Sequence, residues 1–144
     1  MGFFDFVKNA GKSLFGADDA NAAEAIAKEV GDPSLADKIK VEVDGENVKI
    51  SGDIPDQETK EKIIVAAGNV EGVSRVEENI ETAQVAPEAT YHTVEKGDTL
   101  WAIAKKAYDD GAKYKMIFEA NTPMLSDPDK IYPGQVLRIP PLTD

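Results

Sequence analysis

The sequence predicts an α+β protein made of two small domains, with helices and strands in the orders αββαβ and βααβ. In each half, apolar residues recur with the period of a helix in some segments and with the period of a strand in others. Between the halves, residues 82–89 have no periodicity and contain Pro87, as is typical of a linker. We therefore divide the chain into an N-terminal segment, a first domain, a linker and a second domain, at residues 1–16, 17–82, 83–89 and 90–141.

The N-terminal segment carries apolar residues at helical spacing: Phe3, Phe6, Val7, Ala10, Leu14 and Phe15. This spacing predicts an amphipathic helix over residues 1–16 that ends near Gly11 or Gly16, since glycine commonly closes helices. No basic residue precedes the apolar ones, so the segment is not expected to be a secretion signal. A membrane-surface helix would need a polar face rich in Lys and Arg. We therefore expect the helix to dock on the first domain.

The first domain is predicted to contain a helix, a hairpin, a second helix and a third strand. The alanine-rich residues 19–30 predict the first helix, and alternation on both sides of Asp44-Gly45 predicts the hairpin. Pro55 is expected to open the second helix, which ends at Gly68-Asn69. The third strand carries Val73, Val76 and Ile80. This order requires one small sheet with helices packed on one face.

The second domain is predicted to start with a short strand at residues 91–94, followed by a helix that Asp98 or Thr99 caps. A second helix ends at Asn121, and Pro133-Gly134 predicts a type II turn before the closing strand at residues 136–139. Four residues at helical spacing are expected on the buried face of the first helix: Leu100, Ile103, Ala104 and Ala107.

The composition argues against several classes of function. The net charge of −11 divides into −9 before Pro87 and −2 from Pro87 onward, so a basic face for nucleic acid is not expected. No stretch approaches the roughly 20 apolar residues that cross a bilayer, so we expect no stable membrane insertion. Cysteine is absent and His92 is the only histidine, which argues against zinc and against catalysis. Calcium at Asp127 and Asp129 is a weaker alternative, because the EF-hand order is missing.

Three blocks of the second half resemble a LysM domain, at residues 91–104, 117–121 and 131–140. The hairpin and residues 68–76 resemble a BON domain. BON followed by LysM, behind an apolar start, is similar over the whole chain to the bacterial potassium-binding proteins that combine these two domains. The resemblance implies a cytoplasmic protein that senses or buffers K⁺, holds one ion with main-chain oxygens and tightens around it. We further expect a monomer, and Rb⁺ or Cs⁺ as substitutes for K⁺.

Backbone carbonyls bind K⁺ in proteins, and they leave no sequence motif. Helix C-termini leave about four carbonyls unpaired and carry the negative end of the helix dipole. Two such ends are expected here, at residues 7–11 and at Gly68-Asn69. We therefore expect the ion to be held by carbonyls of Val7, Ala10, Gly68, Val70, Gly72 and Val73. The alternative is that Gly68 and Gly72 only end a helix and turn the chain into a strand.

The resemblance to LysM proteins implies a second candidate site, a groove for N-acetylglucosamine between the first strand–helix loop and the loop before the last strand. Its residues here would be Gly97, Asp98, Thr99, Leu100 and Ile131, with residues 121–125. Binding of a peptidoglycan fragment is therefore an alternative function, and a membrane-associated envelope module is another. A role in sugar binding is not favoured, because we expect Trp101 and the neighbouring aromatic residues to lie in a core or a domain contact.

Overall fold

The computed structural model describes residues 2–6, 22–70, 72–83, 89–122 and 124–141, which form two domains of mixed helices and strands and confirm the α+β class. The first domain consists of β1 (Gly2–Asp5), α1 (Ala22–Val30), β2 (Ile39–Asp44), β3 (Asn47–Ile54), α2 (Gln57–Gly68) and β4 (Arg75–Thr82). The second consists of β5 (Thr90–Thr93), α3 (Leu100–Tyr108), α4 (Tyr114–Ala120) and β6 (Val136–Ile139). Short 3-10 turns lie at Pro33–Asp37 and Gly111–Lys113.

The strands of the first domain form one sheet in the order β1-β4-β3-β2. The predicted hairpin is confirmed: β2 and β3 are antiparallel, with Asp44 opposite Asn47 at the turn. β3 and β4 are parallel, so the chain crosses back over the sheet through α2. Ile26 of α1 and Ile63 of α2 lie in the same apolar core as Val48 of the sheet. This crossover leaves the C-terminal end of α2 at the turn that leads into β4.

The start of the chain is a strand, so the prediction of a helix is wrong for these residues. Gly2–Asp5 pairs antiparallel with β4, with Phe4 opposite Val76. Alternation explains the difference, because Phe4 and Phe6 pack on the first core whereas Phe3 is exposed. The edge of β4 also offers peptide groups that only an extended segment can pair. The rest of the predicted helix, residues 7–16, lies outside the described residues.

α2 begins later than predicted, because Pro55 precedes the helix and Asp56 is its N-cap. The Asp56 carboxylate accepts the N–H of Thr59 at 2.9 Å, which satisfies one of the free donors of the first turn. The C-terminal half of the helix is buried, and the buried residues include a charged one, Glu61. A buried carboxylate needs partners, and the charged partner of Glu61, Arg138, lies in the second domain.

In the second domain, β5 and β6 form an antiparallel pair. Two predictions are confirmed: the Thr99 side chain caps α3 by accepting the N–H of Ala102 at 3.1 Å, and the turn at Pro133-Gly134 closes with a 3.1 Å bond from Gln135 to Tyr132. The buried face of α3 carries Leu100, Ile103 and Ala104. Two expectations are wrong, since Ala107 is exposed and Trp101 is 56% exposed, with its ring against Gly111.

Candidate functional site

The turn that follows α2, residues 68–73, contains four of the six carbonyls predicted to bind the ion. The helix ends at Asn69, whose N–H bonds to the carbonyl of Val65 at 2.9 Å. Val70 and Val73 are buried in the first core, which fixes this turn on the body of the domain. Gly72 has a φ of 96° with open space around it, so a side chain there would be strained by the backbone conformation alone.

The described end of the N-terminal segment lies directly against this turn. The N–H of Phe6 bonds to the carbonyl of Ser74 at 2.8 Å, and the Phe6 ring covers Gly68 where a Cβ atom would otherwise be. Phe6 is itself buried. The described N-terminal residues therefore reach this turn at Phe6, which is not one of the predicted ligands. Val7 and Ala10, the two ligands predicted beyond it, lie outside the described residues.

The carbonyls of the turn differ in what they already bind. Within the described part of the chain, no backbone donor bonds to the carbonyls of Gly68, Gly72 or Val73. The carbonyl of Val70 accepts the N–H of Val73 at 3.1 Å. A carbonyl oxygen has two lone pairs, and among the described residues the bond from Val73 uses one of those of Val70. The turn thus offers main-chain oxygens and no side-chain carboxylate among the predicted ligands.

A buried ion pair joins α2 to the second domain. Glu61 Oε1 lies 2.7 Å from both Nε and Nη2 of Arg138 in β6. Glu61 Oε2 accepts the N–H of Ala89 at 2.8 Å and the side-chain amide of Gln57 at 3.1 Å. Glu61 is 1% exposed and Arg138 7% exposed, and both carboxylate oxygens are occupied. Such a pair fixes geometry, since either charge alone would be costly in the interior.

Asn69 makes a second connection between the domains. Its Nδ2 donates to the carbonyl of Val136 at 2.7 Å, and its Oδ1 accepts the N–H of Val136 at 2.8 Å. The Val136 side chain belongs to the core of the first domain, although β6 is a strand of the second. A ring contact between Phe4 and Tyr91, with centroids 5.1 Å apart, adds an apolar part to the interface.

Sequence reasoning missed these connections. Glu61 could have been noticed, because it lies on the same helical face as Ile64 and Gly68, where an apolar residue is expected. Asn69 gave no such signal, since asparagine is common at helix ends for local reasons alone. The polar group that Asn69 binds belongs to a backbone, and backbones carry no pattern in the sequence.

The residues predicted for the LysM groove mainly stabilise the strand–helix turn. Asp98 accepts the N–H of Glu95 and contacts Nε2 of His92, both at 2.9 Å. The hydrogen bond from Glu95, followed by the one from His92, holds the pKa of Asp98 below its usual value. Thr99 caps α3, and Leu100 is in the core. Gly97 turns the chain with a φ of 92°, and Ile131 packs half-buried against the same core.

Other polar groups named from the sequence have local roles. Asp127 accepts the N–H of Asp129 at 2.9 Å, so this acidic pair closes a turn. In the described ranges, no three His, Cys, Asp or Glu side chains are grouped to hold a metal ion. Tyr132 has a buried hydroxyl with no hydrogen-bond partner among the described residues, and burial, followed by the charge of Glu29, raises its pKa to about 12. Glu29 belongs to α1, so Tyr132 also lies near the first domain.

Sequence comparisons match both domains. The BON family model matches residues 18–84, and the LysM family model matches residues 92–140. The chain is 45% identical to the Potassium binding protein Kbp of Escherichia coli O6:H1, over 97% of this chain and 99% of that protein. The chain belongs to the Kbp family. The resemblance inferred from the sequence blocks is therefore confirmed.

Two further relatives are less similar or match a smaller part of the chain. An uncharacterized protein of Deinococcus radiodurans is 32% identical over 94% of this chain and 58% of its own length. The spore coat assembly protein ExsA of Bacillus cereus is 47% identical, but over only 34% of this chain and 7% of that protein. Similarity over the whole chain thus points to Kbp. Among the residues described for this Kbp family member, no helix is long and apolar enough to span a membrane.

Proposed function

We propose that this protein binds one K⁺ ion with main-chain carbonyls of Val7, Ala10, Gly68, Val70, Gly72 and Val73. The observation that carries the proposal is 45% identity, over almost the full length of both chains, to a protein named for potassium binding. The turn after α2 gives independent support, because Gly68, Gly72 and Val73 have carbonyls without backbone donors among the described residues. Phe6 supports it too, since it brings the N-terminal segment against Gly68 and Ser74.

The chemistry of this turn suits a large monovalent cation. K⁺ gives up its hydration shell for a ring of carbonyl oxygens, and the C-terminal end of α2 adds the negative end of a helix dipole. Carboxylates are not needed in such a site, whereas Ca²⁺ and Mg²⁺ generally require them. The net charge of −11 also favours cations near the surface in a general way.

Ion binding would also order the molecule. The proposed ligands come from the N-terminal segment and from the turn after α2, so one ion would hold both together. The same turn contacts β6 through Asn69, which brings the second domain into the arrangement. We propose that the protein is a cytoplasmic K⁺ sensor or buffer in which the ion draws the BON and LysM domains into one ordered unit.

Isothermal titration with K⁺, Rb⁺, Cs⁺, Na⁺, Ca²⁺ and Mg²⁺ tests the proposal. We expect heats for K⁺, Rb⁺ and Cs⁺ that saturate at one ion per chain, and smaller or no heats for the others. Gly72→Val should weaken K⁺ binding at least tenfold, because its φ of 96° cannot be kept with a branched side chain. The matched control is Gly31→Val, which introduces the same strain at a φ of 88° at the end of α1.

Small-angle scattering adds the conformational arm of the test. K⁺ should reduce the radius of gyration of the unmodified protein, whereas Na⁺ at the same ionic strength should not. Equal weakening of K⁺ binding by Gly72→Val and Gly31→Val would mean that general strain is responsible. The carbonyl site would then be wrong, and an absence of any K⁺ heat in the unmodified protein would end the proposal altogether.

A further inference from the structure

The side chain of Asn69 lies between two carbonyls of the proposed ion site and the closing strand of the second domain. Gly68 and Val70 are its neighbours along the chain. Its amide nitrogen donates to the carbonyl of Val136 at 2.7 Å, and its amide oxygen accepts the N–H of Val136 at 2.8 Å. A single residue is therefore shared by the ion turn and the domain contact. No other residue of the described turn has a hydrogen bond to β6.

The backbone of Asn69 depends on the peptide groups beside it. Its φ of −81° and ψ of 51° are neither helical nor extended, because the helix ends there. The carbonyl of Gly68 belongs to the planar peptide unit that ends at the Asn69 Cα atom, and the bond from the Asn69 N–H to the carbonyl of Val65 at 2.9 Å already restrains this unit. An ion on the Gly68 carbonyl would add a second restraint to it. The direction of the Asn69 side chain follows from the orientation of this Cα atom.

The second polar connection between the domains lacks this dependence. Glu61 lies in α2 eight residues before Asn69, about 12 Å away along the helix axis, and its pairing with Arg138 is buried and complete. Its carboxylate touches no residue of the 68–73 turn in the described structure. The ion pair therefore holds the second domain whether or not an ion orders the turn.

We infer that Asn69 is a positioning residue that transmits ion binding at the 68–73 turn to the second domain by holding the main chain of Val136. The inference rests on the proposed K⁺ site. Without the ion, this peptide unit keeps only its bond to Val65, and the Asn69 side chain holds Val136 less firmly. With the ion, the second restraint favours both bonds to Val136, and this gain adds to the apparent affinity for K⁺.

Strand β6 provides an internal control for the test. Val136 and Arg138 both direct their N–H and carbonyl groups away from β5, and Arg138 is held by Asn121 in the same way that Val136 is held by Asn69. Asn121 lies at the end of α4, in the same domain as β6. K⁺ should therefore change the state of Val136 and leave that of Arg138 unchanged.

Amide hydrogen exchange of the unmodified full-length protein, followed by NMR with and without K⁺, is the first measurement. We expect K⁺ to slow exchange of the Val136 N–H at least roughly fivefold, and of the Arg138 N–H less than about twofold. Equal slowing of both amides would overturn the inference, because it would reflect a general stabilisation. This measurement needs no variant and so does not depend on how any variant folds.

Asn69→Ala is the second measurement. It should weaken K⁺ binding by roughly five- to thirty-fold and make exchange of the Val136 N–H independent of K⁺. Asn79→Ala, at an exposed position of β4, removes the same atoms and should match the unmodified protein. If the unmodified protein binds K⁺ and Asn69→Ala binds it equally well, the inference is wrong and the ion site stands. If the unmodified protein gives no K⁺ heat, both are wrong.

Discussion

Two residues of β6, Val136 and Arg138, are held by the same chemistry in different surroundings. Asn69 binds the N–H and carbonyl of Val136, and Asn121 binds the N–H and carbonyl of Arg138 at 2.8 and 2.9 Å. Each side chain thus acts as one peptide group of a missing neighbouring strand. Asn121 also donates to the carbonyl of Ile117 at 2.7 Å and is 2% exposed, whereas Asn69 is half-buried and belongs to the other domain.

The bonds of Asn121 to Arg138 stabilise one domain, whereas those of Asn69 to Val136 join two domains. The contact at Arg138 is internal to the LysM domain, so losing it leaves buried peptide groups without partners. The contact at Val136 lies between domains, so losing it weakens their attachment and leaves the hydrogen bonds within each domain in place. Identical hydrogen bonds therefore stabilise a single domain at Arg138 and a contact between two domains at Val136.

The largest effect is expected at the buried ion pair, which anchors β6 to α2. Glu61→Gln removes the charge that compensates Arg138 and should lower the free energy of unfolding by about 3–5 kcal/mol, measured by equilibrium urea denaturation. The pair of exposed Glu58 and half-buried Lys62 is the matched control, and Glu58→Gln should cost less than about 0.5 kcal/mol. The combined change Glu61→Leu and Arg138→Met should recover much of the loss. A loss below about 1 kcal/mol for Glu61→Gln would show that the pair contributes little to domain attachment.

Asn121→Ala should have the next largest effect, a loss of about 2–3 kcal/mol in the free energy of unfolding of the LysM domain. Three hydrogen bonds disappear, and the N–H and carbonyl of Arg138 stay buried without a partner. Thermal denaturation followed by tryptophan fluorescence reports on this domain, since Trp101 is the only tryptophan. Asn79→Ala again serves as the exposed control. If Asn121→Ala and Asn69→Ala lower the free energy of unfolding by the same small amount, the contacts at Arg138 and Val136 do not differ in their contribution to folding.

A smaller, pH-dependent effect is expected at Asp98. Its folded-state pKa is lowered by the Glu95 N–H and by His92, so its contribution to stability is present above the unfolded value of about 3.9 and is lost as the pH falls through the folded value. Asp98→Asn should lower Tm by on the order of a few degrees at pH 7. The difference between the two proteins should shrink below about pH 4. A difference that stays constant down to pH 2.5 would contradict the assignment.

The smallest effect is a gain in stability at the end of α3. Asp109 has a φ of 59°, a left-handed conformation that is unfavourable for a residue with a Cβ atom. Its side chain is 97% exposed, so little packing compensates for this cost. Asp109→Gly should raise the free energy of unfolding by about 0.5 kcal/mol in a thermal melt. Its neighbour gives a control of opposite sign: Asp110 accepts the N–H of Ala112 at 3.0 Å, so Asp110→Gly should be destabilising.

Local signals in the sequence predicted most of the fold. The hairpin at Asp44-Gly45, the cap at Thr99 and the turn at Pro133-Gly134 are each determined by residues next to one another in the chain. The N-terminal strand was not predictable in this way, because its conformation depends on pairing with β4, far along the chain. With six residues, helical spacing and alternation of apolar side chains are difficult to distinguish, and the tertiary partner decides.

The candidate site was predictable only in part, for a related reason. Gly68 and Gly72 marked a turn, and family resemblance supplied the idea of a carbonyl site. Which atoms meet at the turn depends on Phe6, which covers Gly68, and on Asn69, which reaches Val136. These contacts join segments that lie far apart in the sequence. The main-chain groups involved are the same for every residue type, so they leave no pattern in the sequence.

The strand order also sets the sequence of events when the chain is synthesised. β1 leaves the ribosome well before β4, so Phe4 pairs with Val76 only after the first domain has been translated almost completely. Closing this loop of about 70 residues comes after the local hairpin and helices have formed. In a nascent chain that ends before β4, Gly2–Asp5 therefore has no strand to pair with. The strand pairing of the N-terminal segment is completed only together with the first domain.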